Sequence, residues 1–258
     1  MTIEEAGLFM EKAAEYGSRP GLETISELMK RLDNPQDKLR IIHIAGTNGK
    51  GSTAAYIASI LASAGFKAGR FHSPAVFDRR EIIQLTVKRN GRLENEYITE
   101  EGICKAVSLI KKACEEMVRD GFNHPTVFEI ETAMAFLYFL DENVDFAVIE
   151  AGMGGSLDAT NVVAKPVCSV ITSISMDHMQ YLGETLEEIS KHKAGIIKEG
   201  TPAVSSNTDP IVVGVLEQAC KDMDTTLTLA SWNEVNLLNL SIEGTVFSYK
   251  GNNYRIRL

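Results

Sequence analysis

The segment with the clearest chemical meaning is a short glycine-rich loop, Gly46-Thr47-Asn48-Gly49-Lys50-Gly51-Ser52. Glycines allow backbone N–H groups to converge on phosphate oxygens, and a lysine adds a positive charge that reaches the outer phosphates of a nucleotide. The spacing departs from the strict phosphate-loop pattern, because Ile44 stands six residues before Lys50 where that pattern has glycine. Two interpretations are open, a nucleotide phosphate site and a glycine-rich turn with a solvated lysine.

A second candidate is Glu150, the last residue of an apolar run at 146–150 that predicts a buried strand. The run Gly152-Met153-Gly154-Gly155 follows closely. A carboxylate at the carboxyl end of a strand lies where open α/β sheets bind ligands, and its hard oxygens suit Mg²⁺. The alternative is that Glu150 caps the turn that follows.

The elements beside the loop favour the phosphate site. Residues 39–45 form a short apolar run that predicts a strand, residues 53–64 place their apolar side chains on one helical face, and residues 66–71 predict a second strand. A loop between such a strand and helix lies at the positive end of the helix dipole. The pattern predicts a βαβ unit with a right-handed crossover.

The rest of the chain continues this alternation. We predict helices near 99–118, 128–140, 185–197 and 210–223, strands near 166–174 and 202–205, and only loop with short strands at 73–98. The fold class is therefore α/β, a mostly parallel sheet with helices on both faces. We divide the chain into N-terminal helices at 1–40, an α/β core at 41–230 and a small antiparallel β extension of hairpins at 235–258.

The composition and charge of the chain limit the classes of molecule that it could bind. The chain has 258 residues and a net charge of −9, so we expect no nucleic acid, because an acidic surface repels phosphate backbones. The N-terminus lacks the basic start of a signal peptide, and no run approaches the ~20 apolar residues that span a bilayer. The four cysteines are scattered, as in a reduced cytoplasmic protein, and we expect no membrane association.

Several further motifs follow the phosphate loop in a fixed order. They are Phe71-His72-Ser73-Pro74, Thr126-Val127-Phe128-Glu129, Glu150-Ala151-Gly152-Met153-Gly154-Gly155, Asp158-Ala159-Thr160-Asn161, Asp177-His178 and Lys193-Ala194-Gly195. Together with the loop they resemble the folylpolyglutamate synthase/dihydrofolate synthase family, a branch of the Mur-type ligases. The combination is far more specific than any single motif, and it extends over nearly the whole chain.

The resemblance implies a phosphate-loop fold like the central domain of a Mur ligase, and an ATP-dependent ligase that needs Mg²⁺. Such enzymes phosphorylate a carboxylate and then join it to the amino group of L-glutamate, with a folate or dihydropteroate as the acceptor. Phosphoryl transfer between two anions depends mainly on positioning and charge neutralisation, which fits a loop lysine and a metal-binding carboxylate. The family also implies a protein that is monomeric at full length.

The resemblance assigns roles to particular residues. The magnesium residues are Ser73, Glu150 and His178; the catalytic residues are Lys50, His178 and Lys193; and the nucleotide-binding residues are Gly46 to Ser52 with Asn161. Lys193 matches a family lysine that can be carbamylated, which would turn a cation into an anion able to bind a second magnesium. Each role has a structural alternative. Ser73 would begin a turn, and His178 would be a loop histidine with its hydrogen bonds satisfied within the protein. Lys193 would lie at a helix end, favoured by the helix dipole, and Asn161 would form a turn.

The chain also departs from the family. Many relatives have Ser-Pro-His-Leu followed by Glu-Arg, whereas this chain has Ala75-Val76 and Glu81-Ile82, a segment where the family places its pterin substrate. Family members carry a C-terminal glutamate-binding domain, which this sequence lacks, so we expect little ligase activity from the chain alone. The alternatives are a non-catalytic nucleotide-binding remnant and a Mur-type ligase for a peptidoglycan precursor. Gly51 after the lysine favours the folate branch.

Overall fold

The computed structural model describes residues 1–17 and 19–256, and it contains two sheets. The main sheet has eight strands in the order β4-β3-β2-β5-β1-β6-β7-β8, and the small sheet has the order β11-β10-β9. The strands are β1 Ile41–Ala45, β2 Ala68–Phe71, β3 Ile83–Arg89, β4 Arg92–Tyr97, β5 Phe146–Glu150, β6 Cys168–Ile171, β7 Ala203–Ser205, β8 Leu227–Leu229, β9 Val235–Ser241, β10 Gly244–Tyr249 and β11 Asn252–Ile256.

Helices cover both faces of the main sheet. They are α1 Ile3–Ala13, α2 Glu23–Arg31, α3 Lys50–Ser63, α4 Glu100–Arg119, α5 Val127–Asp141, α6 Met179–Leu182, α7 Leu186–Ala194 and α8 Pro210–Asp222. Threonines cap the N-termini of several helices. Thr126, before α5, and Thr185, before α7, each form a capping box with the glutamate three residues later. No helix among the described residues is long and apolar enough to cross a membrane.

The fold-class prediction is confirmed, since six neighbouring strands of the main sheet run parallel to one another. In sheet order they are β2, β5, β1, β6, β7 and β8. The strand β5 lies between β1 and β2, although it follows them in the chain. The carboxyl ends of these parallel strands therefore share one edge of the sheet, where α/β folds bind ligands. The predicted antiparallel extension is the small sheet, and residues 257 and 258 of that prediction lie outside the described residues.

The segment 73–98 is more regular than the sequence predicts. It contains a 3-10 helix, Arg79–Ile82, and then the two full strands β3 and β4, which extend the main sheet with antiparallel pairing. Asn90 and Gly91 connect these strands with φ values of 50° and 78°, the left-handed conformation that a tight hairpin turn requires. Charged residues on β4 obscured the alternation in the sequence.

The core consists of separate layers on the two faces of the sheet. A large layer forms between the sheet and the helices α1, α2, α4 and α5, with Phe71, Phe136 and Phe139 fully buried in it. On the opposite face, alanines of α3 pack on Ile44 and Val148, and their small size brings the helix close to the sheet. Helices α7 and α8 pack together over the half of the sheet formed by β6 to β8.

Candidate active site

The glycine loop is fixed to the segment that follows β6. The amide of Thr47 donates to the carbonyl oxygen of Ser173 at 2.7 Å, and the Ser173 hydroxyl donates to the Asn48 carbonyl oxygen at 3.1 Å. Gly46 lies so close to this segment that a Cβ placed on it would be 1.8 Å from the Thr172 hydroxyl oxygen. Only glycine therefore fits at the first loop position, with its φ of 155°.

The loop ends in the first turn of α3. Gly49 adopts the left-handed conformation with φ 83°, and the helix begins at Lys50. The amides of Lys50, Gly51 and Ser52 lie in the first helical turn, where backbone N–H groups have no acceptor within the helix. These donors and the positive end of the helix dipole form the anion-binding arrangement that the sequence predicts.

Glu150 ends β5 beside the loop. The side chain is buried, with 6% exposure, and one carboxylate oxygen lies 3.8 Å from the Lys50 ammonium. The other oxygen, Oε2, is buried and has no hydrogen-bond partner among residues 1–17 and 19–256. Burial raises the pKa of Glu150 to about 7, and the positive charges of Lys50 and Arg70 limit that rise. A buried carboxylate with a free oxygen is unstable by itself, so it needs a cation or a proton.

Lys193 contacts the first residue of the loop. It is 1% exposed, and its ammonium donates a hydrogen bond of 2.9 Å to the Gly46 carbonyl oxygen. Burial, together with the nearby positive charge of Lys50, lowers the pKa of Lys193 to about 8. The helix-end interpretation is therefore incomplete, because the side chain turns inward and joins α7 to the phosphate loop.

Ser73 and His178 both line a cavity of about 410 Å³ beside the glycine run that follows Glu150. Ser73 is partly buried, whereas His178 is exposed, with its Nε2 atom 3.6 Å from an Asp177 carboxylate oxygen. Among the described residues, no three His, Cys, Asp or Glu side chains form a group able to hold a metal ion. A magnesium site here would depend on Glu150, the Ser73 hydroxyl and oxygens of the nucleotide, a set of hard oxygen donors that fits Mg²⁺.

Asn161 is held by contacts within the chain. It lies in a 3-10 helix, Ala159–Val162, and its side-chain amide donates to the carbonyl oxygens of Ser156 at 3.0 Å and Gly195 at 3.3 Å. Its Oδ1 atom is buried and has no partner among the described residues. Asn161 therefore joins the loop after β5 to the end of α7, and a nucleotide contact by Asn161 stays a prediction.

Asp158, at the start of the same 3-10 helix, also joins neighbouring segments through hydrogen bonds. Its carboxylate accepts hydrogen bonds from the Met153 amide at 2.8 Å and the Thr160 hydroxyl at 2.6 Å. The Thr160 hydroxyl in turn lies 2.8 Å from Nε2 of the buried His43 on β1. This chain of contacts shapes the glycine run, and burial raises the pKa of Asp158.

The sequence interpretation missed Thr172 and Ser173, the residues that hold the loop. The available signal was the polar run Thr172-Ser173-Ile174-Ser175 directly after an apolar strand. Parallel strands end at the same edge, so polar residues after one strand are candidates to contact the loop after its neighbour.

Comparison with known proteins identifies the family of this chain. Residues 93–258, more than half of the chain, match the family model of the Mur ligase middle domain. The chain belongs to the Mur ligase family. It is 44% identical over 214 residues to the dihydrofolate synthase/folylpolyglutamate synthase of Bacillus subtilis (strain 168). This alignment covers 83% of the present chain and 48% of the Bacillus protein. The resemblance predicted from the motifs is therefore confirmed.

Solved structures give the same result for this Mur ligase family chain. A folylpolyglutamate synthase from Thermotoga maritima matches 98% of the chain with a TM-score of 0.83 and 36% identity, over 56% of its own length. An FPGS–AMPPCP–folate complex matches 98% with a TM-score of 0.82 and 32% identity, over 60% of its length. The chain spans about half the length of the curated relatives it matches.

Proposed function

We propose that this chain binds MgATP as the nucleotide-binding part of a ligase that adds L-glutamate to folates. The observation that carries the proposal is the convergence on one loop of the buried Glu150 carboxylate and the partly buried, oppositely charged Lys50 ammonium. The two groups lie 3.8 Å apart at the start of α3, and the buried Lys193 donates to the Gly46 carbonyl oxygen at the start of the loop. A glycine turn with a solvated lysine needs none of these contacts.

The chemistry would proceed in two substitutions. The acceptor's carboxylate oxygen attacks the γ-phosphorus of ATP and ADP leaves, giving an acyl phosphate. The neutral amine of glutamate then attacks the acyl carbon, phosphate leaves, and the nitrogen releases one proton as the amide forms. Lys50 and the first-turn amides of α3 would hold the transferred phosphoryl group and stabilise its charge. Bound Mg²⁺ would neutralise the phosphate oxygens, with Glu150 and Ser73 as its protein ligands and His178 at the rim of the adjoining cavity.

The cavity beside the glycine run is suited to the acceptor. Its walls combine the aromatic ring of Phe128 with the polar side chains of Thr126 and Asp158. Gly152 leaves room for the ring, since a Cβ there would lie 2.6 Å from the Phe128 Cζ atom. An aromatic wall beside hydrogen-bonding groups suits a flat heterocycle such as a pterin. The relatives reported above are named for folates, which favours this substrate over a peptidoglycan precursor.

The proposed test is a ligase assay with ATP, labelled glutamate and either dihydropteroate or tetrahydrofolate. The aligned regions make up only 48% and 53% of two matched relatives, so the assay uses a protein of the relatives' length that contains the chain. We expect amide formation by the longer protein, and MgATP binding with little or no amide formation by the 258-residue chain. The proposal fails if the chain binds no MgATP, or if the longer protein transfers no glutamate to either acceptor.

A further inference from the structure

His43 is a buried polar side chain in the middle of the apolar strand β1. It has no exposed surface and stands between Ile42 and Ile44. The strand is itself central, since β5 pairs with it on one side and β6 on the other. A buried imidazole costs free energy unless its nitrogen atoms form hydrogen bonds, whereas an apolar side chain would fill the same space without that cost. The hydrogen-bond partner of His43 therefore indicates what this histidine contributes.

The contacts of His43 fix which ring nitrogen carries its proton. Nε2 lies 2.8 Å from the Thr160 hydroxyl oxygen, and that hydroxyl donates its only proton to an Asp158 carboxylate oxygen at 2.6 Å. The proton between His43 and Thr160 must therefore come from Nε2. Burial, together with the positive charge of Lys198, lowers the pKa of His43 to about 3, so the ring is neutral. Nδ1 is then unprotonated, and it is buried without a hydrogen-bond partner among the residues that the structure describes.

The histidine determines the direction of the Thr160 hydroxyl. A threonine hydroxyl can rotate, but one that accepts a hydrogen bond from His43 directs its own proton at Asp158. The Asp158 carboxylate also accepts from the Thr160 amide at 3.0 Å and from the Met153 amide at 2.8 Å. The donors thus point in one direction, from the centre of the sheet to the glycine run. Hydrogen bonds in such a buried series strengthen one another.

The glycine run that Asp158 holds is closely packed. A Cβ placed on Gly155 would lie 2.6 Å from the carbonyl oxygen of His192. Met153, whose amide Asp158 accepts, lies in the same run, and both residues line the cavity assigned above to the acceptor. Closely packed segments transmit a displacement to their neighbours. A shift of Met153 should therefore change the shape of the cavity wall.

The phosphate loop has different supports. Ser173 and Lys193 bind it through the contacts described above, which do not involve Thr160 or Asp158. His43 precedes Gly46 by three residues, but the strands on both sides fix the backbone of β1. Loss of the imidazole should therefore affect the cavity wall far more than the loop.

We infer that His43 is a positioning residue for the acceptor: through Thr160 it holds the Asp158 carboxylate and the glycine run in the arrangement that binds the acceptor. The inference rests on the proposed function, which assigns this cavity to a folate or dihydropteroate. Asp158 lines the cavity, and His43 acts on it through Thr160. The expected effect is therefore on the affinity for the acceptor and not on a bond that forms or breaks.

The tautomer of His43 is measured by NMR on the chain labelled with ¹⁵N-histidine. We expect a neutral ring with a proton on Nε2 and none on Nδ1, unchanged between pH 6 and pH 8. Thr160→Val removes the hydroxyl that accepts from Nε2, so the Nε2 signal should shift in that variant, whereas Thr160→Ser should retain it. A proton on Nδ1, or a charged ring at pH 6, would overturn the inference.

Binding is measured by calorimetry with dihydropteroate and, separately, with MgATP. We expect His43→Phe and Thr160→Val to weaken dihydropteroate binding at least about tenfold, because hydrogen bonding to the charged Asp158 is lost, and to leave MgATP affinity unchanged. His43→Gln keeps an N–H donor, so it should restore most of the dihydropteroate affinity. Thr201→Val is the control: it removes a buried hydroxyl that donates to the Pro166 carbonyl oxygen at the opposite edge of the sheet, and both affinities should stay unchanged.

The possible outcomes separate this inference from the proposed function. Wild-type affinity for dihydropteroate in His43→Phe would overturn the inference, and so would an equal loss of both ligands, because that result indicates a purely structural role. His43→Gln binding no better than His43→Phe would also contradict it. A chain that binds MgATP but no dihydropteroate would refute the acceptor cavity and this role of His43. A chain that binds no MgATP would refute the proposed function itself.

Discussion

The ammonium of Lys193 donates a 2.9 Å hydrogen bond to the carbonyl oxygen of Gly46, the first residue of the phosphate loop. The two residues are 147 positions apart, and the contact is fully buried. It fixes the direction of the Gly46 peptide and places a lysine with a lowered pKa beside the candidate nucleotide site. The end of α7 is therefore joined directly to the glycine loop.

Replacing the loop lysine tests the phosphate assignment. Lys50→Ala should weaken MgATP binding by between about 10-fold and 100-fold, because hydrogen bonds to charged groups contribute about 1.5–3 kcal/mol. Isothermal titration calorimetry measures the change. Lys191→Ala is the control, since Lys191 is exposed on α7 and pairs with Glu187. Equal affinity in the Lys50 variant and the wild type would contradict the assignment.

Replacing Glu150 tests the metal site. Glu150→Gln keeps the shape of the side chain but removes its charge, so we expect ATP binding with Mg²⁺ to weaken far more than binding without it. Calorimetry with and without the metal separates the two effects. Similar losses in both conditions would mean that Glu150 is structural.

The pKa of Glu150 also predicts a dependence on pH. Since burial raises that pKa to about 7, the carboxylate is largely protonated at pH 6 and charged at pH 8. Mg²⁺-dependent affinity for ATP should therefore rise from pH 6 to pH 8 in the wild type, and the rise should be smaller in Glu150→Gln. An identical pH profile in the two proteins would exclude titration of Glu150 as its cause.

Lys193 should make stability increase with pH in an alkaline range. Its pKa falls from 10.5 in the unfolded chain to about 8 in the fold, so the unfolded chain binds more protons between these values. The free energy of unfolding of the wild type, compared with Lys193→Met, should therefore increase from pH 8 to pH 10. Urea denaturation at several pH values measures this. A constant difference between the two proteins would mean that Lys193 keeps its ordinary pKa.

The same lysine is the expected site of carbamylation, because a lowered pKa leaves more neutral amine to attack CO₂. The amine nitrogen forms a bond to carbon and loses a proton, giving a carbamate. With ¹³C-labelled bicarbonate, we expect a carbamate signal in the NMR spectrum of the wild type and its loss in Lys193→Arg. Lys191→Arg should retain the signal. A signal that persists in Lys193→Arg would place the modification elsewhere.

Close packing at Gly195 positions Lys193. A Cβ at Gly195 would lie 2.5 Å from the Cβ atom of Ser156, so Gly195→Ala should destabilise the fold by about 1–3 kcal/mol, the usual cost of overpacking. Gly214 in α8 has open space around it, and Gly214→Ala should stabilise the fold by about 0.5–1 kcal/mol because alanine favours a helix. Urea denaturation compares both with the wild type. A Gly195→Ala variant as stable as Gly214→Ala would show that the two segments are not closely packed.

The sequence by itself determined the order of the elements, the phosphate loop and the family. These features depend on local patterns: the strand β5 falls at 146–150 as predicted, and the loop lies between β1 and α3. The sequence did not determine that β5 lies between β1 and β2, that Lys193 contacts Gly46, or that His43 contacts Thr160. Such relationships join residues far apart in the chain. They depend on which strands pair and how tightly helices pack, and no local periodicity contains that information.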